Sequence, residues 1–457
     1  MSKIFVGREK ELKKLTHCYS LGDQELAIVY GRRRIGKTAL LSKFTEDKNT
    51  LWITGIKGKR ELVFEAMTRE VNRFFAPEDK TERVFRNVLD LFEFLFEKSI
   101  AERFVCVLDE FPYLAEEFEE LPSILQLLLD RYEGKGKLFL ILCGSSMHFM
   151  EHQVLGKESP LYGRRGMTIK LQPFDIHDTS LLVGKDKQKA FELWSVTGGV
   201  ALYLNILNRY QNVEDAIISE FLDDNGFFSN EASNIFLMEF NNPINYESIC
   251  RELATGNNKV SAIASKLNMT TSLVAQLLSN MQNIGIVEKI EPFESNVRKP
   301  VWAITDQMIK FWYRFVYPLR LMRLESRISY WRTYYNQFLS NSFEMLCRIS
   351  LPSLLPSVLF ADIRSWWGGN PITKQEEEID VVATDITGTH IYCGECKYTN
   401  KPVSNDVLNR LIARTALVSR GRNPIYLLFS KSGFEDIAVS SNLLSFDFEE
   451  IMAILMA

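Results

Sequence analysis

The chain has 457 residues, of which 46% are hydrophobic and 25% charged, an ordinary globular composition that excludes wholesale disorder, collagen and disulfide-scaffold classes. The 54 Lys and Arg nearly balance the 58 Asp and Glu, so the net charge is −4 and any basic nucleic-acid footprint is local rather than global. At about 150 residues per domain the length predicts roughly three domains. Seven scattered cysteines without a framework point to reduced thiols inside a cell. The early charges do not suit a signal peptide, and no apolar run approaches the ~20 residues of a membrane span. A cytoplasmic protein without membrane contact is expected.

In the first 150 residues, short apolar runs at 26–30, 51–54, 103–108 and 137–143 read as strands buried on both faces. Helical patterns separate them, which predicts a parallel α/β sheet. The first strand runs into Gly31-Arg32-Arg33-Arg34-Ile35-Gly36-Lys37-Thr38 and opens a helix at Thr38-Ala39-Leu40, which matches the phosphate-binding loop pattern in its required context. Its glycines let backbone N–H groups wrap phosphates, and the helix N-terminus adds its positive dipole end. Lys37 is expected to reach the β and γ phosphates of ATP, and Thr38 to hold Mg²⁺. The third strand ends in Asp109-Glu110, a pair placed to bind the Mg²⁺ shell (Asp109) and polarise the attacking water (Glu110). The fourth ends in Gly144-Ser145-Ser146, where either serine suits a γ-phosphate sensor. Arg164 and Arg165, after a turn, are candidates for an arginine finger acting on a neighbouring subunit, which implies a homo-oligomer.

Together with Val6-Gly7-Arg8-Glu9, these segments resemble an archaeal-type ATPase, within the AAA+ and related signal-transduction ATPases. The resemblance covers about residues 1–235 and implies that Gly7, Arg8 and Glu9 lie near the adenine. Thr197-Gly198-Gly199-Val200 and Tyr203-Leu204 resemble the family's lid-entry pattern, with Ala201 where that pattern has proline.

Residues 246–254, 260–267 and 270–281 carry helical spacing, and 286–290 and 301–305 read as two strands, a winged helix-turn-helix pattern. Thr270, Thr271 and Ser272 would lead the third helix into a DNA groove, and Arg298 and Lys299 would meet phosphate. A protein–protein spacer is the alternative. Residues 298–332 hold eight Lys or Arg against two acids and many aromatics. That stripe suits core packing under arginine stems, or a grip on single strands.

Toward the C-terminus, Glu378-Ile379-Asp380 and Glu395-Cys396-Lys397 lie on two strands around a turn at Thr387-Gly388. Residues i and i+2 share a strand face, so a hairpin can bring Asp380 and Glu395 together as Mg²⁺ ligands, with Lys397 beside the attacking water. Glu344, on a preceding helix, is a third possible ligand. The set resembles the PD-(D/E)XK nuclease core, and the segments Ser365-Trp366-Trp367-Gly368 and Gly394-Glu395-Cys396-Lys397 resemble the uncharacterised domain that commonly ends archaeal-type ATPases. A salt-bridged, catalytically dead hairpin is the alternative.

The expected architecture is α/β: a P-loop NTPase parallel sheet over 1–172, a helical lid over 173–240, a winged helix over 241–305, an aromatic and basic linker over 306–335, and an α/β restriction-endonuclease-like domain over 336–457. The expected activity is an ATP-hydrolysing switch that binds DNA and controls a metal-dependent nuclease. The alternative is an ATP-driven scaffold or signalling ATPase whose C-terminal domain only binds.

Overall fold

The computed structural model describes residues 5–75, 83–294, 300–435, 437 and 440–457. Arg298 and Lys299 lie outside the described residues. The chain divides into two units, Met1–Phe174 with Val200–Tyr203, and Asp175–Gly199 with Leu204–Ala457.

The first unit contains α1 (Glu9–Ser20), β1 (Glu25–Tyr30), α2 (Lys37–Thr45), β2 (Thr50–Thr54), α3 (Arg60–Phe75), α4 (Val88–Ala101), β3 (Val105–Asp109), α5 (Phe111–Glu117), α6 (Leu121–Arg131), β4 (Phe139–Gly144) and β5 (Met167–Lys170). The five strands form one parallel sheet in the order β2-β3-β4-β1-β5. Every residue of β3 and β4 is buried, which is why these segments read as continuous apolar runs rather than alternating ones. Phe92, Phe96, Phe104, Phe111 and Phe118 fill the core between sheet and helices. Because β4 inserts between β1 and β3, the loops that follow β1, β3 and β4 open at one edge of the sheet, where open α/β sheets bind ligands.

In the second unit, α7 (Ile176–Val183), α8 (Lys187–Thr197) and α9 (Glu231–Glu239) precede three helices, α10 (Pro243–Ala254), α11 (Val260–Leu267) and α12 (Thr271–Asn283). The antiparallel pair β6 (Val287–Ile290) and β7 (Val301–Ile304) follows. Thr270 caps α12 by accepting the Leu273 N–H at 3.3 Å, and Val274, Leu277, Leu278 and Met281 turn one face of the helix inward. Residues 270–272 at its leading end are exposed.

Then come α13 (Gln307–Phe311) and the long α14 (Leu324–Leu354). The composition break expected near residue 335 falls inside α14, a continuous helix with no glycine or proline before Pro352 to stop it. Phe311, Trp312, Tyr313 and Phe315 of the aromatic stripe are buried, and Trp312 Nε1 donates to the Ser229 carbonyl at 3.0 Å, so these rings are packing.

The second sheet is mixed, with the order β12-β11-β10-β9-β8 for β8 (Phe360–Gly369), β9 (Glu376–Asp385), β10 (His390–Lys397), β11 (Asn423–Ser430) and β12 (Leu443–Asp447). The pairs β8–β9 and β9–β10 are antiparallel, and β10–β11 and β11–β12 are parallel. The parallel β10–β11 connection carries α15 (Asn405–Thr415), which packs on β9, β10 and β11 through Leu408 and Leu411, while α14 packs on β8, β9 and β10. The chain ends in α16 (Phe448–Met456).

Candidate active sites in the two units

The first candidate site lies where β1, β3 and β4 end. Gly31 has φ +154, and a Cβ there would stand 2.5 Å from the Leu171 carbonyl oxygen and 2.6 Å from Ile35 Cδ1. Gly36, at φ +97, turns the loop into α2 in a conformation that L side chains rarely adopt. The first glycine of the motif is therefore required by the close approach of the Leu171 backbone, and the second by its positive φ. Lys37 is buried, and its Nζ donates to the Gly31 and Arg32 carbonyls, each at 2.9 Å. Burial lowers its pKa from the usual lysine value, opposed by Cys143, Glu110 and Asp109 nearby.

Thr38 Oγ1 donates to Asp109 Oδ2 at 3.0 Å, so the residue after the loop lysine and the end of β3 meet across the sheet edge. This hydroxyl and carboxylate are hard oxygen donors, a pair that fits Mg²⁺. Glu110, at φ 51, stands at the N-terminus of α5, and its Oε2 accepts the Ser145 Oγ–H at 2.7 Å. The serine that follows β4 thus holds the candidate catalytic carboxylate. Ala39 is exposed on the first turn of α2.

The Gly7-Arg8-Glu9 box is brought to the same loop. Arg8 is buried, its Nη2 donates to the Ile35 carbonyl at 3.3 Å, and its guanidinium lies 4.4 Å from the centre of the Phe174 ring. Glu9 opens α1 and is exposed. Arg33 donates to the Tyr113 hydroxyl at 2.7 Å and Arg34 to the Tyr203 hydroxyl at 3.1 Å. The Leu202 N–H donates to the Arg34 carbonyl at 3.1 Å, which docks the lid-entry segment on the loop even though Ala201 stands in the proline's place.

Arg164 is engaged within its own unit. Its Nε and Nη2 form a two-pronged pair with Asp130 at 2.6 and 2.9 Å, at the surface. Arg165 lies 5.9 Å over the Tyr162 ring. The sequence reading missed three partners in this unit: Asp130, Tyr113 and Cys143. Burial raises the Cys143 thiol well above its usual pKa, and the neighbouring Asp109 carboxylate adds to that shift. Its place as the last apolar residue of β4 beside the Gly-Ser-Ser end was the available signal.

The second candidate site lies on the C-terminal sheet. The antiparallel register pairs Gly394 with Val381, so one step further Glu395 stands opposite Asp380, as the hairpin pattern requires. Asp380 Oδ2 accepts the Cys396 N–H at 2.8 Å, and the Asp380 carbonyl accepts from Arg348 of α14 at 2.7 Å. Glu395 is buried; Lys397 Nζ lies 2.7 Å from its Oε1, and Arg414 Nη1 3.2 Å from its Oε2. Arg414 also donates through Nε to Glu377 at 2.9 Å.

Burial first, and the neighbouring Glu395 next, push the Asp380 carboxyl up to about 6. Burial and Asp380 push Glu344 up to about 7. Glu344, Asp380 and Glu395 thus form an electrostatically linked chain of carboxylates. Among the described residues, however, no three His, Cys, Asp or Glu side chains come together as a group able to hold a metal ion. The sequence reading did not include Arg414. Its signal is a lone arginine next to the inward Thr415 in the last turn of α15, on a helix whose Leu408 and Leu411 face the sheet.

Residues 5–207 match the model of an ATPase domain found predominantly in Archaea. The matched span takes in the described residues of the first unit. Residues 312–410 match a domain of archaeal and bacterial proteins of unknown function. An uncharacterized protein of Methanocaldococcus jannaschii is 28% identical over 391 residues, which cover 83% of this chain and 84% of that protein. An uncharacterized ATP-binding protein of the same archaeon is 47% identical over 45 residues, 10% of this chain and 76% of its own. Among solved structures, a Walker-type ATPase of Pyrococcus abyssi is 20% identical with a TM-score of 0.52, covering 68% of this chain and 96% of that one, a likeness of fold. No helix among the described residues is long and apolar enough to cross a membrane.

Proposed function

We propose that the chain is an AAA+-like, ATP-hydrolysing switch that binds DNA and controls a metal-dependent PD-(D/E)XK-type nuclease domain. The observation that carries the ATPase part is the 3.0 Å contact of Thr38 with Asp109, beside Lys37 and Glu110, at one sheet edge. When bound, Mg²⁺ supplies charge neutralisation of the phosphates, held by Thr38 and Asp109. Lys37 exchanges its two loop carbonyls for the β and γ phosphate oxygens. Glu110 turns from Ser145 to the attacking water and orients it, and Ser145 is released toward the γ phosphate. Gly7, Arg8 and Glu9 line the base side of the loop. Arg164 or Arg165 completes the site of a neighbouring copy in an oligomer, Arg164 by leaving Asp130.

The three helices α10 to α12 with the β6–β7 pair form a winged helix whose exposed leading end, residues 270–272, enters DNA. In the C-terminal domain Asp380 and Glu395 hold a divalent cation, joined by Glu344, and Lys397 orients the hydrolytic water. The adjacent placement of Asp380 and Glu395, with Lys397 on the same strand face, supports this reading.

One observation favours a second reading, an ATP-driven scaffold with a non-cleaving C-terminal domain. Arg414 and Lys397 together occupy both oxygens of Glu395. The two readings part in one experiment. Purified protein is incubated with plasmid and with single-stranded DNA, Mg²⁺ or Mn²⁺, with and without ATP, beside Lys397→Ala and Lys37→Ala. Cleavage lost in Lys397→Ala and changed by ATP supports the nuclease switch. Intact DNA with continued ATP hydrolysis supports the scaffold. Hydrolysis that survives Lys37→Ala refutes both.

A further inference from the structure

In the second unit a cavity of about 360 Å³ lies between the end of α10, strand β7, the α13 segment and α14. That volume is in the range of small-molecule sites. Its walls are Trp302 and Phe338 on the apolar side, Asn258 and Asn341 as amides, and Lys310 and Arg314 as the charges, with no Asp or Glu among the lining residues. Among the described residues the Lys310 ammonium has no hydrogen-bond or ion-pair partner. Burial lowers its pKa, and the nearest charges that act on it are Glu344, which favours the ammonium, and Arg348, which opposes it. Arg314 donates to the neutral Gln337 Oε1 at 3.3 Å and lies over the Tyr334 ring, and among the described residues it has no ion-pair partner.

Two cations with no acid among the lining residues, facing an indole and a phenyl ring in a partly open cavity, set positive charge beside apolar surface. We infer that this cavity binds a small aromatic anion, its carboxylate or phosphate on Lys310 and Arg314 and its ring against Trp302 and Phe338. The occupant bridges the three-helix body to α14, whose Glu344 lies one turn beyond Asn341. Ligand chemistry of this class is independent of the nucleotide and DNA readings above, and the test uses neither.

Isothermal titration calorimetry of the full chain would use naphthoate, naphthyl phosphate and the neutral naphthamide. At least one anion is expected to bind saturably, and at least about tenfold more tightly than naphthamide. The better of the two anions tells carboxylate from phosphate. Lys310→Met, which keeps the stem and removes the charge, is expected to weaken that anion by about tenfold or more, and Trp302→Leu to weaken all three probes. Arg314→Gln provides the same charge test should Lys310→Met fail to fold. Equal binding of naphthamide, unaltered anion binding in the charge variants, or no saturable heat with either anion overturns the proposal.

Discussion

Replacing Asp380 by asparagine is expected to stabilise the protein near neutral pH, although it removes a residue assigned to a catalytic centre. The wild-type carboxyl is buried beside Glu395, and Glu378 adds repulsion; Lys397 and the Cys396 N–H offset only part of this. Asparagine keeps the shape and a carbonyl-type acceptor for that N–H. A native pKa of about 6, against the ordinary 3.8, means that the folded state binds more protons than the unfolded state between those values. Stability contributed by the protonated form is therefore fully present at low pH and falls as pH rises through about 4 to 6. The full displacement corresponds to about 3 kcal/mol at neutral pH, and relaxation around a partly buried group leaves about 1–3 kcal/mol. Urea unfolding of wild type and Asp380→Asn, followed by tryptophan fluorescence and far-ultraviolet circular dichroism, checks this. The variant should gain about 1–3 kcal/mol near pH 8 and nothing near pH 4. A variant less stable near pH 8, or one whose gain is the same at both pH values, refutes the reasoning that charge repulsion is built into this site.

Three further outcomes follow from the contacts described. Glu110→Gln should leave ATP binding near wild type while hydrolysis falls by about 10²-fold or more, which a radiolabelled nucleotide-binding assay beside phosphate release would show. Thr38→Ala should raise the Mg²⁺ concentration needed for half-maximal hydrolysis, because it leaves Asp109 alone as the hard donor; a Mg²⁺ titration measures it. Arg414→Ala should cost about 1–3 kcal/mol of stability, since it removes one of two cations from a buried carboxylate, and Glu395→Gln in the same chain should restore much of that loss.

The first sheet was legible in the chain because strands buried on both faces leave unbroken apolar runs, and β1 to β4 lie close to those runs. The fifth strand, Met167–Lys170, is short and half exposed, so it left no such run. In the C-terminal unit the hairpin β9–β10 was read from its alternation. The edge strands β8 and β12 were not, because their side chains are mostly half-buried and their pattern is weak. The long α14 hid a continuous element behind a shift in composition, since aromatic and basic residues can form one helix with the segment that follows.

Local chemistry alone pointed to the phosphate-loop pattern, the Asp109-Glu110 strand end and the Asp380/Glu395-Cys396-Lys397 hairpin as candidate sites. Each depends on residue types at fixed short spacing, and short spacing is set by the backbone itself. Only the tertiary structure decided that Ser145 holds Glu110, that Asp130 holds Arg164, that Arg414 reaches Glu395, and that Lys310 faces a cavity without an acid. Those contacts join residues tens of positions apart. Their partners are chosen by strand order and helix packing, which no local pattern records.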